Sequence, residues 1–395
     1  MAICSERMGR YLGKLFYQTT DIICIGIFVI DKRLEKLAYI LVTHSLGIKK
    51  GDLFLISGNS IASPLILEVY KQALKLGAHP YTRVAVENLP ETFYKNASEK
   101  QLKYISPISK FEIENIDVHL GINSQINTRS MTNIDPKKQA ITSSAHQPIH
   151  DIFLKRAAKK ELRWCLTQYP TNASAQDAEM SLEEYEDFIF KAAHVDKKDP
   201  IAYWKKVYKE QEKIRKLLQS KKKLHVIAKD TDLTVSVAGR KWINCYGKEN
   251  FPDGEVFTGP VESSADGYIS YSFPASHGGR LVEDIKLWFK KGKVVKSNAS
   301  HGKKALNSLL DMDEGARYIG EFAFGTNYGV KKFTKNTLFD EKIGGTIHIA
   351  VGRGYPDTGS KNKSGLHWDM MCDLRKQGEV YADGELIYKN GKFLL

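Results

Sequence analysis

Cysteine is scarce and has no pairing pattern. The 395-residue chain holds five (Cys4, Cys24, Cys165, Cys245 and Cys372), an odd number with no Cys-x-x-Cys spacing. This excludes a disulfide framework and a cysteine-based zinc site, and it points to a reducing, cytoplasmic setting. Long apolar runs are missing as well. No stretch reaches the roughly 18 apolar residues that a membrane-crossing helix needs, so no membrane partner is expected. The longest candidate, Ile22–Ile30, follows Arg7, Arg10 and Lys14 in the outline of a signal peptide, but no small-x-small cleavage site comes after it. Residues 1–31 are read as an N-terminal extension without an assigned role. Phosphate-cradling loops are absent too: the turn Gly58–Pro64 lacks both G-x-G-x-x-G and the P-loop lysine, and it reads as structural. No repeat of solenoid length occurs.

With 42% hydrophobic and 27% charged residues, the composition is that of an ordinary globular protein, and 395 residues suit two domains. The net charge of +13, from 59 basic and 46 acidic residues, raises nucleic-acid or acidic-surface binding as a rival reading. The densest basic runs, Lys221–Lys223, Lys290–Lys293 and Lys331–Lys335, have no RNA-binding signature around them. The charge is therefore read as a general property, and no nucleic-acid partner is expected.

From Leu34 the chain shows a βα rhythm. Leu34, Leu37, Ala38 and Leu41 recur at helical spacing, GDLFLIS reads as a buried strand, Leu65, Val69, Ala73 and Leu76 form a second helical face, and YTRVAV a second strand. A strand–helix–strand unit favours a parallel sheet. The Ser/Thr/Asn-rich segment 127–149 reads as connecting chain, with helices after it, among them EYEDFIFKAA behind the Ser181/Glu184 capping box. Past Lys223 the pattern turns to strands. The expected fold is α/β: an N-terminal α/β domain with a largely parallel sheet over residues 32–222, then a β-rich α+β metal-binding domain over 223–395.

The stretch Leu338–Asp373 concentrates the chemistry. It carries Asp340, Glu341, His348, Tyr355, His367, Asp369 and Asp373 on segments that read as strands. In GGTIHIAVG, Ile347, Ile349 and Val351 share one face while His348 lies on the other. His367 and Asp369, two apart, leave the same face of a strand. Upstream, Glu255 and Glu321 each follow a glycine in an apolar or aromatic setting, and a carboxylate buried there needs a cation. Two histidines with several carboxylates suit a pair of divalent ions. Glu255, Glu321, Glu341 and Asp369 give four negative charges against the four positive charges of such a pair. Cys372 is read as a small core residue rather than a ligand. A different two-metal hydrolase, such as a phosphodiesterase, is the other reading of this set, although such sites are usually richer in His and Asp.

The ordered motifs PDGEVFTGP, YIGEFAFG, LFDEKIGGTIHIAVGRGYP and HWDMMCDLRKQGEVYADGELIYKNGKF resemble the aminopeptidase T family, dinuclear metallo-aminopeptidases without a His-Glu-x-x-His helix. The likeness runs from about Leu34 to Leu395. It implies that Glu255, Glu321, Glu341, His348, His367 and Asp369 are metal ligands, with Glu321 bridging two ions (Zn, Co, Mn or Mg) and also catalytic. It further implies that Tyr355 stabilises the transition state, that short peptides with a free N-terminus are the substrates, and that the protein is a homodimer. The span from Glu341 to His348 contains an additional Gly-Gly relative to thermophilic members, which leaves Asp340 as an alternative to Glu341.

Overall fold

The computed structural model describes residues 31–395, and the readings made on residues 1–30 lie outside the described residues. The first layer is a five-stranded parallel sheet in the order His79–Ala85, Leu53–Asn59, Val118–Asn123, Arg163–Gln168, Asn250–Phe251. The helix Lys32–Ile40 starts where the Asp31 carboxylate accepts from Arg33 N at 2.8 Å, and it buries Leu34, Leu37 and Ala38 against this half of the molecule. In the helix Ser63–Lys75, Leu65, Val69 and Ala73 are buried as their spacing requires, but Leu76 lies past its end and is exposed.

The remainder is antiparallel. An eight-stranded sheet begins at Lys223 and runs from Lys293–Asn298 at one edge to Lys392–Phe393 at the other. A five-stranded sheet follows the order His367–Asp373, Thr346–Gly352, Ile319–Gly325, Glu255–Thr258, Ile243–Cys245. These two sheets share one apolar core: Leu224, Val226, Leu233 and Leu287 come from the first, and Phe322, Phe324, Ile347, Ile349 and Val351 from the second. The short strand Asn250–Phe251 returns to the parallel sheet just before the chain enters the five-stranded one at Glu255. Both halves are therefore tied together next to the first acidic position.

Two sequence expectations are corrected here. Most of segment 127–149 is not connecting chain but belongs to a 23-residue helix, Pro136–Ala158. Asp135 caps it, accepting from Lys137 N at 2.9 Å, and Pro136 takes the first turn, where its missing N–H costs nothing. None of its residues is fully buried, so no apolar stripe advertises it. Asp340 and Glu341 are not on a strand either; they end the short helix Thr337–Asp340. Among the described residues, no helix is long and apolar enough to cross a membrane.

Candidate metal centre

The five-stranded sheet separates its faces by alternation, interrupted once by a register shift between Ile319, which lies in the core, and Glu321. Register places Ala323 opposite His348, Ala350 opposite Asp369, Gly352 opposite His367, and Gly325 opposite Glu255. Glu255, Glu321, His348, His367 and Asp369 consequently leave one face, while Val256, Phe322, Phe324, Ile347, Ile349, Val351 and Cys372 fill the apolar core behind it. Burying each of those large apolar side chains contributes roughly 1.5–3 kcal/mol. That burial offsets the cost of holding charge on the other face, and it places the Cys372 sulfur on the side away from the cluster.

Glycines make the approach of these strands tight. Gly254 has φ +127°, and a Cβ there would lie 2.7 Å from the Asn327 side chain, whose Nδ2 donates to the Asp253 carbonyl at 2.8 Å. A side chain at position 254 would push Glu255 out of line.

His348 Nε2 lies 3.4 Å from Glu255 Oε2, 3.4 Å from Glu321 Oε1 and 4.0 Å from Asp369 Oδ1. His367 Nε2 lies 3.4 Å from Glu321 Oε2 and 3.6 Å from Asp369 Oδ2. The two oxygens of Glu321 thus face different histidines. Each imidazole is oriented from behind by a backbone carbonyl: His348 Nδ1 is 3.1 Å from Glu341 O, and His367 Nδ1 is 2.7 Å from Arg353 O. That contact sets the tautomer that leaves Nε2 free to act as a ligand. Glu341 joins His348 and Asp369 in a third group whose donor atoms all lie within 4.8 Å of one another. Asp340 does not enter the cluster, because its carboxylate accepts from Thr334 N at 2.7 Å and Thr334 Oγ1 at 2.9 Å. Burial pushes the Asp340 pKa up to about 8.

One residue at the centre was not anticipated from sequence. Lys342 is 1% exposed, and its Nζ lies 2.6 Å from Glu341 Oε1, 2.7 Å from Glu255 Oε1 and 3.6 Å from Asp253 Oδ1. Its only sequence signal is a charge directly after an acidic pair and before an apolar strand, which also describes a surface turn. Lys342 and Asp253 add one positive and one negative charge. Five carboxylates and one ammonium still sum to the four negative charges reckoned from sequence. The same ammonium occupies the side of Glu255 that faces Asp253 and Cys245, so that acidic group already has its cation.

The residues fit divalent ions. Glu255 Oε2 and Asp369 Oδ1 are buried and have no hydrogen-bond partner, although both point into the histidine–carboxylate cage. An unpaired buried carboxylate oxygen costs several kcal/mol unless a cation meets it. Without an ion the histidines take that part. Burial works against their charge, but hydrogen bonding to Glu321 and the neighbouring carboxylates raise His348 to about 9 and His367 to about 10. Glu321, also buried, is held down at about 2 by those two imidazoles, whereas burial pushes Glu255 up to about 8 despite Lys342. Tyr355 stands at the rim, 46% exposed, with its ring 5.2 Å from His367 and 5.4 Å from Phe257. Partial burial and the negative charges of Glu321 and Asp369 keep its phenol protonated well past the ordinary tyrosine range.

Comparison with known proteins assigns the chain to a family. The family model described as thermophilic metalloprotease (M29) matches residues 30–393. Aminopeptidase 2 of Geobacillus stearothermophilus is 28% identical over 92% of this chain and 98% of its own length. Aminopeptidase T of Thermus thermophilus is 26% identical over 85% of this chain and 88% of its own. The solved structure of wild-type AmpT from Thermus thermophilus covers 92% of this chain and 99% of its own with a TM-score of 0.81 at 24% identity, which shows the same fold. The fold also extends to 2,5-dihydroxypyridine dioxygenase of Pseudomonas putida, with a TM-score of 0.55 at 13% identity, so fold alone does not decide chemistry. The match across nearly the whole chain does: this protein belongs to the thermophilic metalloprotease family M29, the metal-dependent aminopeptidases of the aminopeptidase T type.

Proposed function

We propose that the chain removes the N-terminal residue from short peptides with a free α-amine, without narrow side-chain selection, using two divalent ions held by Glu255, Glu321, Glu341, His348, His367 and Asp369. The observation that carries this reading is the pair of partnerless buried oxygens, Glu255 Oε2 and Asp369 Oδ1, inside a cage with two Nε2 atoms. When bound, such ions supply Lewis acidity and a water of lowered pKa. The protein's own residues do the rest. Glu321 presents one oxygen to each half of the cage, and its low pKa keeps it a carboxylate, as a bridging ligand requires. Lys342 holds Glu255 and Glu341 by one oxygen each, and the other oxygen of Glu255 faces His348 Nε2 in the cage. Tyr355, kept protonated, has a hydroxyl hydrogen to donate to an oxyanion developing at the scissile carbonyl, worth roughly 2–4 kcal/mol.

Residues 32–222 and 223–395 serve in this reading as an access-shaping domain and a catalytic domain, the second lending the strand Asn250–Phe251 to the first. The three described cysteines are unpaired, which suits a reducing cytoplasm. A homodimer is carried over from the family and is checked by sedimentation. The decisive assay uses Leu- and Phe-aminoacyl reporters, before and after chelation, beside their N-acetylated forms. Activity is expected only for the free amine and only with metal. Turnover that survives chelation, or equal cleavage of the acetylated compounds, removes the assignment.

A further inference from the structure

A cavity of about 430 Å³ lies beyond the carboxyl ends of the parallel strands Val118–Asn123 and Arg163–Gln168, where Asn123 and Gln168 line it, and it extends to Glu341 of the metal cage. Open parallel sheets bind ligands at this end of their strands. The wall is mostly polar and carries two cations, Arg129 and Lys335, against the single carboxylate of Asp177 apart from Glu341 itself.

Neither cation is spent. Arg129 Nη1 donates to Gly279 O at 3.1 Å and Nη2 meets Asp177 Oδ1 at 3.3 Å, which engages two of the five N–H donors of a guanidinium. Lys335 Nζ meets Glu179 Oε1 at 3.1 Å, and Glu179 is 76% exposed, so that contact is solvent-screened. Lys335 precedes Glu341 by six residues, with the short helix Thr337–Asp340 between them, and both line this cavity. An extended peptide advances about 3.4 Å per residue, so a substrate held at the cage reaches along this cavity within a few residues.

We propose that this cavity is the far end of the substrate site, where Arg129 and Lys335 pair with a substrate carboxylate a few residues beyond the metal cage. The proposal rests on the aminopeptidase reading and narrows it to peptides a few residues long. The carboxylate comes from the peptide C-terminus or from an acidic side chain at the same depth, and charge-assisted pairing with a guanidinium serves either.

The test compares kcat/KM for Leu-Gly-Gly, Leu-Gly-Gly-amide and Leu-Gly-Asp-amide on the metal-loaded enzyme. The free acid is expected to exceed its amide at least tenfold. Arg129→Gln and Lys335→Gln should each bring that ratio toward one through KM. A ratio within one preparation does not depend on how much of a variant folds. Leu-Gly-Asp-amide cleaved as fast as the free acid assigns the subsite to any carboxylate at that depth, and slow cleavage assigns it to the terminus. A wild-type ratio near one alongside brisk cleavage overturns the subsite alone, as does a ratio preserved in both variants. No cleavage of any of the three overturns the aminopeptidase reading and this inference together.

Discussion

Two kinds of desolvated histidine occur among the described residues, and His119 of the first half contrasts with His348 and His367 of the second. His119 lies in the parallel sheet with Nε2 2.7 Å from Ser57 Oγ, and burial, aided by nearby Arg83, lowers its pKa to about 4. His348 and His367 lie on the antiparallel sheet, and their pKa values go the other way, to about 9 and 10. All three side chains are desolvated, which favours the neutral ring. What differs is the company: a hydroxyl and a guanidinium in one place, Glu255, Glu321 and Asp369 in the other. A buried histidine is therefore no sign of a metal site by itself, whereas one that faces several carboxylates takes the place of a cation.

The sharpest break in the comparison removes its shared anion. Glu321→Gln should abolish turnover, with more than a thousandfold loss in kcat, and lower the bound metal measured by elemental analysis. Full metal occupancy in this variant would mean that Glu321 does not bridge. Next is the resident cation. Lys342→Met should destabilise the chelated protein by roughly 3–5 kcal/mol in urea unfolding, because it leaves the Glu255 and Glu341 oxygens buried without a partner. Added metal should restore more stability to this variant than to the parent. An unchanged midpoint in the metal-free state would show that Lys342 is not the counter-ion. Tyr355→Phe should spare metal content and lower kcat by roughly 30- to 1,000-fold, the equivalent of 2–4 kcal/mol. A fall in metal content would reassign the tyrosine to the cage.

How much of this was legible in the sequence follows from how each element earns its stability. The strands at Ile319–Gly325, Thr346–Gly352 and His367–Asp373 were readable because one face of each is apolar without exception, and period-two alternation then determines where the polar residues point. The register that brings those strands together was not readable, since register is a property of pairing; their convergence entered through the charge balance of four carboxylates against two divalent ions and through the family resemblance. The helix Pro136–Ala158 escaped because it buries no residue completely, and a helix that is half-wet all round lacks the periodic signal. Lys342 escaped because a buried lysine is rare enough that an isolated lysine reads as surface. Its burial depends on Glu255, 87 positions away, a relation that no local pattern encodes.

Metal binding should report the difference between the histidines through protons. At pH 7 without metal, His348 and His367 carry protons, and ligation requires them neutral. Loading should therefore release up to three protons, two from these rings and one from the Glu255 carboxyl that burial holds at about 8, seen by calorimetry in buffers of different ionisation enthalpy, and affinity should rise with pH until about 9–10. Because both pKa values are raised above the usual 6.5, the stability these histidines give the metal-free fold is fully present below that pH and lost as pH climbs through 9 and 10. Release of one proton or none at pH 7 would mean that the cage holds neutral rings.

The smallest effect belongs to His119, and its sign is opposite. Its folded pKa of about 4 lies below the unfolded value near 6.5, so the unfolded chain binds the proton first as the solution is acidified. The stability that depends on keeping this ring neutral is fully present above about 6.5 and is lost as pH falls toward 4, a total of roughly 2–3 kcal/mol. His119→Gln keeps a side-chain amide to pair with Ser57 Oγ but has no proton to gain. Unfolding of the chelated variant should follow the parent above pH 7, within about 1 kcal/mol, and fall less steeply between pH 6.5 and 4. The chelated state matters, because acid would otherwise strip metal from the other two histidines and mask the slope. Parallel curves for variant and parent across that interval would show that His119 gains its proton equally in both states, and the contrast between the two halves would then rest on the carboxylate cage alone.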